Sequence, residues 1–143
     1  MKSKIAVFCF MIVCAIATLA PCAWSQAQTV EIGDSTFLIQ YDTALLVAYC
    51  VQWILRGSDI GKNKREPSWK FVQDPRTNVR QATHDDYTHS GYDRGHLCPA
   101  ADRSSSTKLM KSTFIMTNVA PQAPALNRGP WKKIEDACRK YAA

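Results

Sequence analysis

The chain carries an arginine and a histidine two residues apart, in the stretch SGYDRGHLCPAAD at residues 90–102. In an extended strand successive side chains point to opposite faces, so Arg94 and His96 are expected on one face and Asp93 and Gly95 on the other. Arginine can hold a phosphate oxygen, and an imidazole that titrates near neutral pH can take a proton from water. The pair is therefore suited to phosphate chemistry, although these residues alone also fit a structural role.

A second group of polar residues lies near the C-terminus. Asn127 offers a carbonyl oxygen suited to a hard cation, and Glu135 follows eight residues later. At a rise of about 1.5 Å per residue their Cα atoms would lie roughly 12 Å apart, too far for both to ligate one ion. Glu135 leans toward the helix start and would reach a metal-bound water, which suits Mg²⁺ because that ion keeps most of its waters. The structural alternatives are a helix cap for Asn127 and a solvated carboxylate for Glu135.

The elements that must position these groups follow from local patterns. Residues 29–55 predict two or three strands, the last buried on both faces, with a helix over 42–55 as the alternative. Residues 113–119 have the composition of a strand, and the proline-rich residues 120–129 predict irregular structure. A final helix is expected from Pro130, with an apolar side formed by Trp131, Ile134, Cys138 and Tyr141.

Residues 56–90 form a predicted long surface loop, broken by glycines and prolines. Its basic residues alternate with Trp69 and Phe71, a mixture that can grip phosphates while stacking on bases. The alternative is that the two aromatic rings pack under the loop as a small core. Both interpretations stay open at this level.

The N-terminal segment differs from the rest of the chain. Residues 1–27 have two lysines, an apolar run and then small residues, which predicts a signal peptide and a secreted or periplasmic protein. A membrane anchor is the alternative, but the run is short for a bilayer span, so no stable membrane association is expected after cleavage. Of the six cysteines, Cys50, Cys98 and Cys138 would remain, too few to pair completely within one chain.

Basic residues are concentrated in the C-terminal part. The chain has a net charge of +6, and from Asp93 onward nine Lys and Arg stand against four Asp and Glu. This excess favours a polyanionic partner such as DNA or RNA over a neutral ligand. A solvated basic surface is the alternative, since charge alone does not distinguish the two.

Three motifs together resemble a known family. YDRGHLCPAAD, TFIMTNVAPQ and LNRGPWKKIE resemble the DNA/RNA non-specific endonuclease family of the ββα-metal, or His-Me finger, type. That family includes secreted bacterial nucleases and mitochondrial endonuclease G. The resemblance runs from about Trp53 to Arg139 and implies an α+β fold with a ββα-metal core on a mostly antiparallel sheet. The endonuclease domain would be residues 28–143, ending before the family's last strand and helix.

The resemblance also implies roles for particular residues. His96 would be the general base, Asn127 the direct protein ligand of Mg²⁺, with Mn²⁺ as a substitute, and Glu135 the holder of the ion's water shell. Arg94 would stabilise the phosphorane. Asn118 matches an asparagine that helps to position the catalytic centre, and its structural alternative is a turn residue at a strand end.

Substrate contacts complete what the resemblance implies. Arg65 is the nearest match to a loop arginine that contacts phosphate, and Trp69 and Arg128 are further expected substrate contacts. The substrates would be DNA and RNA, gripped by the backbone and cut to leave 5'-phosphates. A homodimer is left open, and the alternative function is nucleic-acid binding without efficient catalysis.

Overall fold

An antiparallel sheet of four strands forms the N-terminal part of the fold. The computed structural model describes residues 6–9, 29–33 and 37–143. The strands are β1 (Ala6–Cys9), β2 (Thr29–Gly33), β3 (Leu38–Asp42) and β4 (Val47–Leu55), and they lie in the order β1-β4-β3-β2. The prediction of two or three strands over residues 29–55 is confirmed, and the helical alternative is wrong.

The turn between β3 and β4 explains why this stretch is not a helix. The Asp42 carboxylate accepts hydrogen bonds from the backbone N–H groups of Ala44 at 2.8 Å and Leu45 at 2.9 Å, which closes a tight turn. The expected burial of the last strand on both faces is only partly correct, because Tyr49 and Ile54 are 40% and 39% exposed.

The predicted signal peptide lies outside the described residues except for Ala6–Cys9. Those four residues form β1, which pairs with the outer edge of β4 in the register Ala6↔Leu55. Removal of the leader therefore remains a prediction. Within the part of the chain that the structure describes, no helix is both long and apolar enough to cross a bilayer.

A second, two-stranded sheet carries the Arg-Gly-His motif. Strand β5 (Asp93–His96) pairs antiparallel with β6 (Val119–Gln122), with His96 opposite Val119. The strand expected at 113–119 is therefore wrong in position: Met116–Asn118 form a 3₁₀ turn, and the strand lies in the stretch expected to be irregular. Pro121 is tolerated because, among the strands that the structure describes, β6 pairs only with β5, so its missing N–H breaks no ladder bond on the open side.

Short helices and turns connect these strands to the last helix. The 3₁₀ turn Ala100–Arg103 precedes α1 (Thr107–Ser112), and α2 (Pro124–Leu126) leads into a π-turn at Asn127–Trp131. Helix α3 (Lys132–Ala142) begins two residues after the expected start. A break at Gly129, with φ −112° and ψ −106°, separates Asn127 from α3. Strands β5 and β6 with α3 form the ββα unit.

Helix α3 buries only part of its expected apolar side: Cys138 packs against the core, and Trp131 is half-buried. Ile134 and Tyr141 are 53% and 62% exposed, whereas Ala142 is buried and the Arg139 side chain is only 14% exposed. The apolar periodicity identifies a helix correctly, and the inward side also carries Arg139, which pairs with Asp102 in the body of the protein.

The long loop over 56–90 is confirmed, and buried polar bonds hold it in place. Its regular pieces are the 3₁₀ turns Gly57–Asp59 and Asp85–Tyr87. Asp74 is 1% exposed and accepts hydrogen bonds from Arg76 at 2.9 Å and from the Thr117 hydroxyl at 2.6 Å. This network fixes the loop against the segment before β6. It leaves Trp69 and Phe71 in an apolar cluster with Phe114 and Val119.

Gly95 is required by the close approach of β6. A Cβ atom at this position would overlap the buried side chain of Gln122.

We expect Gly95→Ala to lower the free energy of unfolding by about 1–3 kcal/mol, because overpacking displaces Gln122. Urea denaturation of the wild type and the variant measures this difference. In a Gln122→Ala background the same substitution should cost little, and an equal cost in both backgrounds would contradict the packing explanation.

Candidate active site

His96 is held at the end of β5 between two aromatic rings. Its imidazole lies 4.7 Å from the Phe71 ring and 4.7 Å from the Phe114 ring, centroid to centroid. The Nε2 atom is buried and has no hydrogen-bond partner among the described residues. A buried polar atom without a partner is costly, so this nitrogen is a candidate for contact with a substrate or a water molecule.

The surroundings of His96 favour its neutral form. Burial lowers the pKa of His96 to about 3, and the nearby Arg65 guanidinium lowers it further in the same direction. The imidazole is therefore uncharged at neutral pH. Approach of an anionic phosphate would raise its proton affinity, since an opposite charge favours the protonated ring.

Arg94 lies in the same cleft as His96, as the strand alternation predicts. Its guanidinium donates to the backbone carbonyl of His84 at 2.6 Å and to the Thr88 hydroxyl at 2.9 Å, and it lies 5.8 Å above the Tyr87 ring. The loop before β5 thus fixes the orientation of Arg94. His84 contributes to this contact through its backbone carbonyl oxygen.

Asp93 organises the other rim of the cleft. Its carboxylate accepts a hydrogen bond from the Asn127 side-chain amide at 2.9 Å and pairs with Arg128 at 2.8 and 2.6 Å. These partners hold the pKa of Asp93 below its ordinary value, Arg128 foremost. Because the Asn127 N–H₂ group is directed at Asp93, its carbonyl oxygen is oriented away from Asp93. Sequence analysis placed Asp93 on the other face of the strand and missed this contact with Asn127.

Glu135 projects from the first turn of α3 into the cleft. Burial raises its pKa to about 7, while the Arg139 guanidinium, 3.9 Å away, acts in the opposite direction. The carboxylate is thus poised between its two forms at neutral pH. Added positive charge in the cleft, such as a divalent ion, would favour the ionised form.

These side chains line a single cleft of about 570 Å³. His96 and Asn127 face it from β5 and from the turn before α3 respectively. The cleft carries five cationic side chains and two carboxylates; the cationic ones are Arg65, Arg94, Arg128, Lys132 and Arg139. Its electrostatics therefore favour an anion.

Asn118 acts on the site through the backbone. It is fully buried, and its side chain accepts from Cys98 N at 2.8 Å and donates to the carbonyls of Cys98 and Thr113, each at 3.0 Å. The residue does not line the cleft. Its contribution is to hold the chain just beyond His96, so among the expected catalytic residues it is a positioning residue.

The expected substrate contacts divide into three cases. Arg65 lines the cleft, 5.0 Å above the Phe114 ring, and Arg128 lies at the rim in its pair with Asp93, its side chain 72% exposed. Trp69 is only 8% exposed and packs edge-on against Phe114 at 5.4 Å. The expectation that Trp69 stacks on a base is corrected, because the hydrophobic cluster already covers its ring.

The cysteines lie apart from this chemistry. Cys98 is a buried free thiol, and burial holds its pKa far above the ordinary value. Cys138 is partly exposed and also free. Both thiols are thereby kept in the unreactive protonated form at neutral pH.

Comparison with known proteins identifies the family and the fold. The model of the DNA/RNA non-specific endonuclease family matches residues 24–143. The chain belongs to the DNA/RNA non-specific endonuclease family. The α+β fold expected from the motifs is confirmed by a chain of the solved EndoG/EndoGI complex, which aligns with a TM-score of 0.70 and 28% identity. That alignment covers 78% of this chain and 47% of the other.

Relatives of the endonuclease family come from bacteria and mitochondria. A nuclease from a Nostoc species is 36% identical over 107 residues, which is 75% of this chain and 39% of the relative. Mitochondrial endonuclease G of Bos taurus is 36% identical over 106 residues, 73% of this chain and 36% of the relative. The chain thus spans less than two fifths of the length of these curated relatives.

The donor set of this endonuclease-family site fits a sparsely ligated, hydrated metal ion. Among the described residues no group of three or more His, Cys, Asp and Glu side chains could enclose a metal. Asn127, with its amide nitrogen bound to Asp93, and Glu135 are oxygen donors on the same cleft. Such a site suits Mg²⁺, and with Asn127 as one of its six ligands the remaining five waters would fill about 150 Å³ of the cleft at about 30 Å³ each.

Protonation of His96 makes the stability depend on pH. The unfolded imidazole binds a proton below its ordinary pKa of 6.5, whereas the folded one binds a proton only near about 3. Stability from this group is therefore complete above pH 6.5 and is lost as the pH falls from 6.5 toward 3. We expect chemical denaturation at a series of pH values to show a steeper acid loss for the wild type than for His96→Phe. Parallel curves for the two proteins would contradict the neutral buried imidazole.

Proposed function

We propose that this protein is an exported, metal-dependent endonuclease that hydrolyses phosphodiester bonds of DNA and RNA and leaves 5'-phosphate ends. The observation that supports it best is that His96, with its unpartnered Nε2, and Asn127 line one basic cleft. Family membership adds that relatives are named nucleases. Export rests on the leader-like composition of residues 1–27.

His96 acts as the general base in this proposal. Its neutral Nε2 takes a proton from a water that attacks phosphorus, and the bond to the 3'-oxygen breaks as the new P–O bond forms. The flanking rings of Phe71 and Phe114 prevent the imidazole from turning away. The two hydrogen bonds between the Asn118 side chain and the backbone of Cys98 fix the chain two residues after His96.

Asn127 and Glu135 would hold Mg²⁺, with Mn²⁺ as a substitute. When bound, the ion supplies charge neutralisation for the phosphate and for the leaving oxygen. The Asn127 carbonyl oxygen would be the direct protein ligand, oriented by Asp93. Glu135 would accept hydrogen bonds from the ion's waters in its ionised form.

The cationic side chains account for substrate range. Arg94, fixed by the His84 carbonyl, would donate to a non-bridging phosphate oxygen, and Arg65 lies across the same cleft. These groups recognise the phosphate backbone that DNA and RNA share, so they carry little sequence information. Arg128 can join them only by leaving its pair with Asp93.

Nucleic-acid binding without efficient cleavage is the second candidate function. It is favoured by the basic cleft, whose five cationic side chains attract a polyanion. This candidate predicts salt-sensitive binding of duplexes with no nicking in any divalent ion. The endonuclease proposal predicts nicking that a chelator abolishes.

We expect wild-type protein to nick supercoiled plasmid in Mg²⁺ and His96→Ala to do so at least about 10²-fold more slowly, because the base is lost. Duplex binding measured by fluorescence anisotropy in a chelator should change less than about twofold, since a neutral group is removed. The matched control is His89→Ala, an exposed histidine outside the cleft. Equal nicking by wild type and His96→Ala would disprove the assigned base.

Asp93 gives a separate test of the metal site. We expect Asp93→Ala to weaken Mn²⁺ binding about tenfold, because the Asn127 amide loses the partner that orients it. Electron paramagnetic resonance of free Mn²⁺ measures the dissociation constant without turnover. Asp86→Ala, which removes an exposed carboxylate that caps Thr83, is the control. An unchanged affinity in Asp93→Ala would remove the support for Asn127 as the ligand.

A further inference from the structure

A buried carboxylate lies behind the cleft and takes no part in the chemistry described so far. Asp102, in the 3₁₀ turn after β5, is 2% exposed. One of its oxygens accepts a hydrogen bond from the Trp53 indole N–H at 2.9 Å, and the other accepts from Arg139 Nη1 at 2.7 Å. Each carboxylate oxygen therefore has a specific donor, one from β4 and one from α3.

Arg139 extends this contact to the cleft. Its Nη2 atom donates to Asp136 at 2.6 Å and lies 3.9 Å from the Glu135 carboxylate. The Arg139 side chain is 14% exposed, and it lines the cleft with both acidic residues. One planar guanidinium thus contacts a buried carboxylate on one edge and the cleft carboxylates on the other.

Stability alone is a poor explanation for this arrangement. Desolvation of a buried ion pair offsets most of its Coulomb attraction, so an apolar pair of the same volume is often as stable. A bidentate or forked arginine contact does, however, fix the plane of the guanidinium. The same pairing explains why α3 turns Arg139 inward while Ile134 and Tyr141 remain exposed.

We propose that Asp102 is a positioning residue of this site: held by Trp53, it fixes the Arg139 guanidinium, which in turn orients the Glu135 carboxylate toward the cleft. The expected effect on catalysis rests on the proposed function, but the series of contacts from Trp53 through Asp102 and Arg139 to Glu135 does not. It assigns a role to Trp53 and Asp102, neither of which reaches the substrate.

The substitution Asp102→Asn tests this series of contacts directly. The amide is nearly isosteric but lacks the charge that holds Arg139, so we expect kcat to fall about tenfold to hundredfold with KM within about twofold. Trp53→Phe removes only the N–H donor and should give a smaller loss, about threefold. The matched control is Asp59→Asn, which removes a carboxylate paired with Arg103 at 3.4 Å in the neighbouring turn. Asp59→Asn should leave kcat unchanged.

A double-mutant cycle separates positioning from general destabilisation. If Asp102 acts through Glu135, adding Asp102→Asn to Glu135→Gln should lower kcat little further. If Asp102→Asn acted only by a general structural defect, the double variant would lose kcat by the product of the two separate factors, and that outcome would overturn the proposal. Thermal unfolding of every variant establishes that the assays are run on folded protein.

A spectroscopic measurement makes the proposal independent of nuclease activity. The chain has three glutamates, so ¹³Cδ-glutamate labelling yields few carboxylate signals, and Glu135→Gln assigns the one of interest. At about pH 9, where Glu135 is ionised, its signal should shift in Asp102→Asn and in Trp53→Phe but not in Asp59→Asn. The Trp53→Phe variant changes no charge and also serves if Asp102→Asn does not fold.

The outcomes distinguish the two proposals. A Glu135 signal unmoved by both substitutions disproves the positioning chain even if the wild type nicks plasmid. If the substitutions shift the Glu135 signal although the wild-type protein has no nuclease activity, the positioning proposal is supported and the proposed function is disproved.

Discussion

The fully buried amide of Asn118 is the interaction on which the site depends. It bonds to the backbone of Cys98 on both its N–H and its carbonyl and to the carbonyl of Thr113, so it joins the end of β5 to the turn before β6. Two strands in an isolated sheet are marginally stable by themselves. The amide therefore supplies the long-range connection that keeps His96 at a fixed place between Phe71 and Phe114.

Burial and charge have separate effects on the groups of the cleft. Burial keeps His96 neutral, and burial of Glu135 raises the pKa of that carboxyl group to about 7. Arginines then supply the positive potential, each oriented by a specific acceptor: Arg94 by the His84 carbonyl and Arg139 by Asp102. The cleft thus combines an uncharged proton acceptor with a surface that attracts phosphate, a combination that a fully solvated site would not maintain.

Local sequence patterns predicted which elements form better than they predicted where each element begins and ends. The strands over residues 29–55, the long loop and the last helix follow from composition and spacing, whereas the strand expected at 113–119 lies at Val119–Gln122. The error arises because Pro121 argues against a strand locally, and only the two-stranded pairing shows that its missing N–H has no partner to lose. Likewise, the apolar spacing of Ile134 and Tyr141 could not reveal that α3 is turned by an ion pair to Asp102.

The sequence by itself determined the candidate groups for the chemistry: the alternation around Gly95 places Arg94 and His96 together, and the three motifs identify the family. Only the tertiary structure decided which neighbours act on those groups, namely Asp93 on Asn127, the His84 carbonyl on Arg94, and Asp102 on Arg139. It also decided that Trp69 belongs to the core. The reason is that side-chain direction along one strand is a local property, whereas hydrogen bonds between residues ten to thirty-seven positions apart depend on how the elements pack.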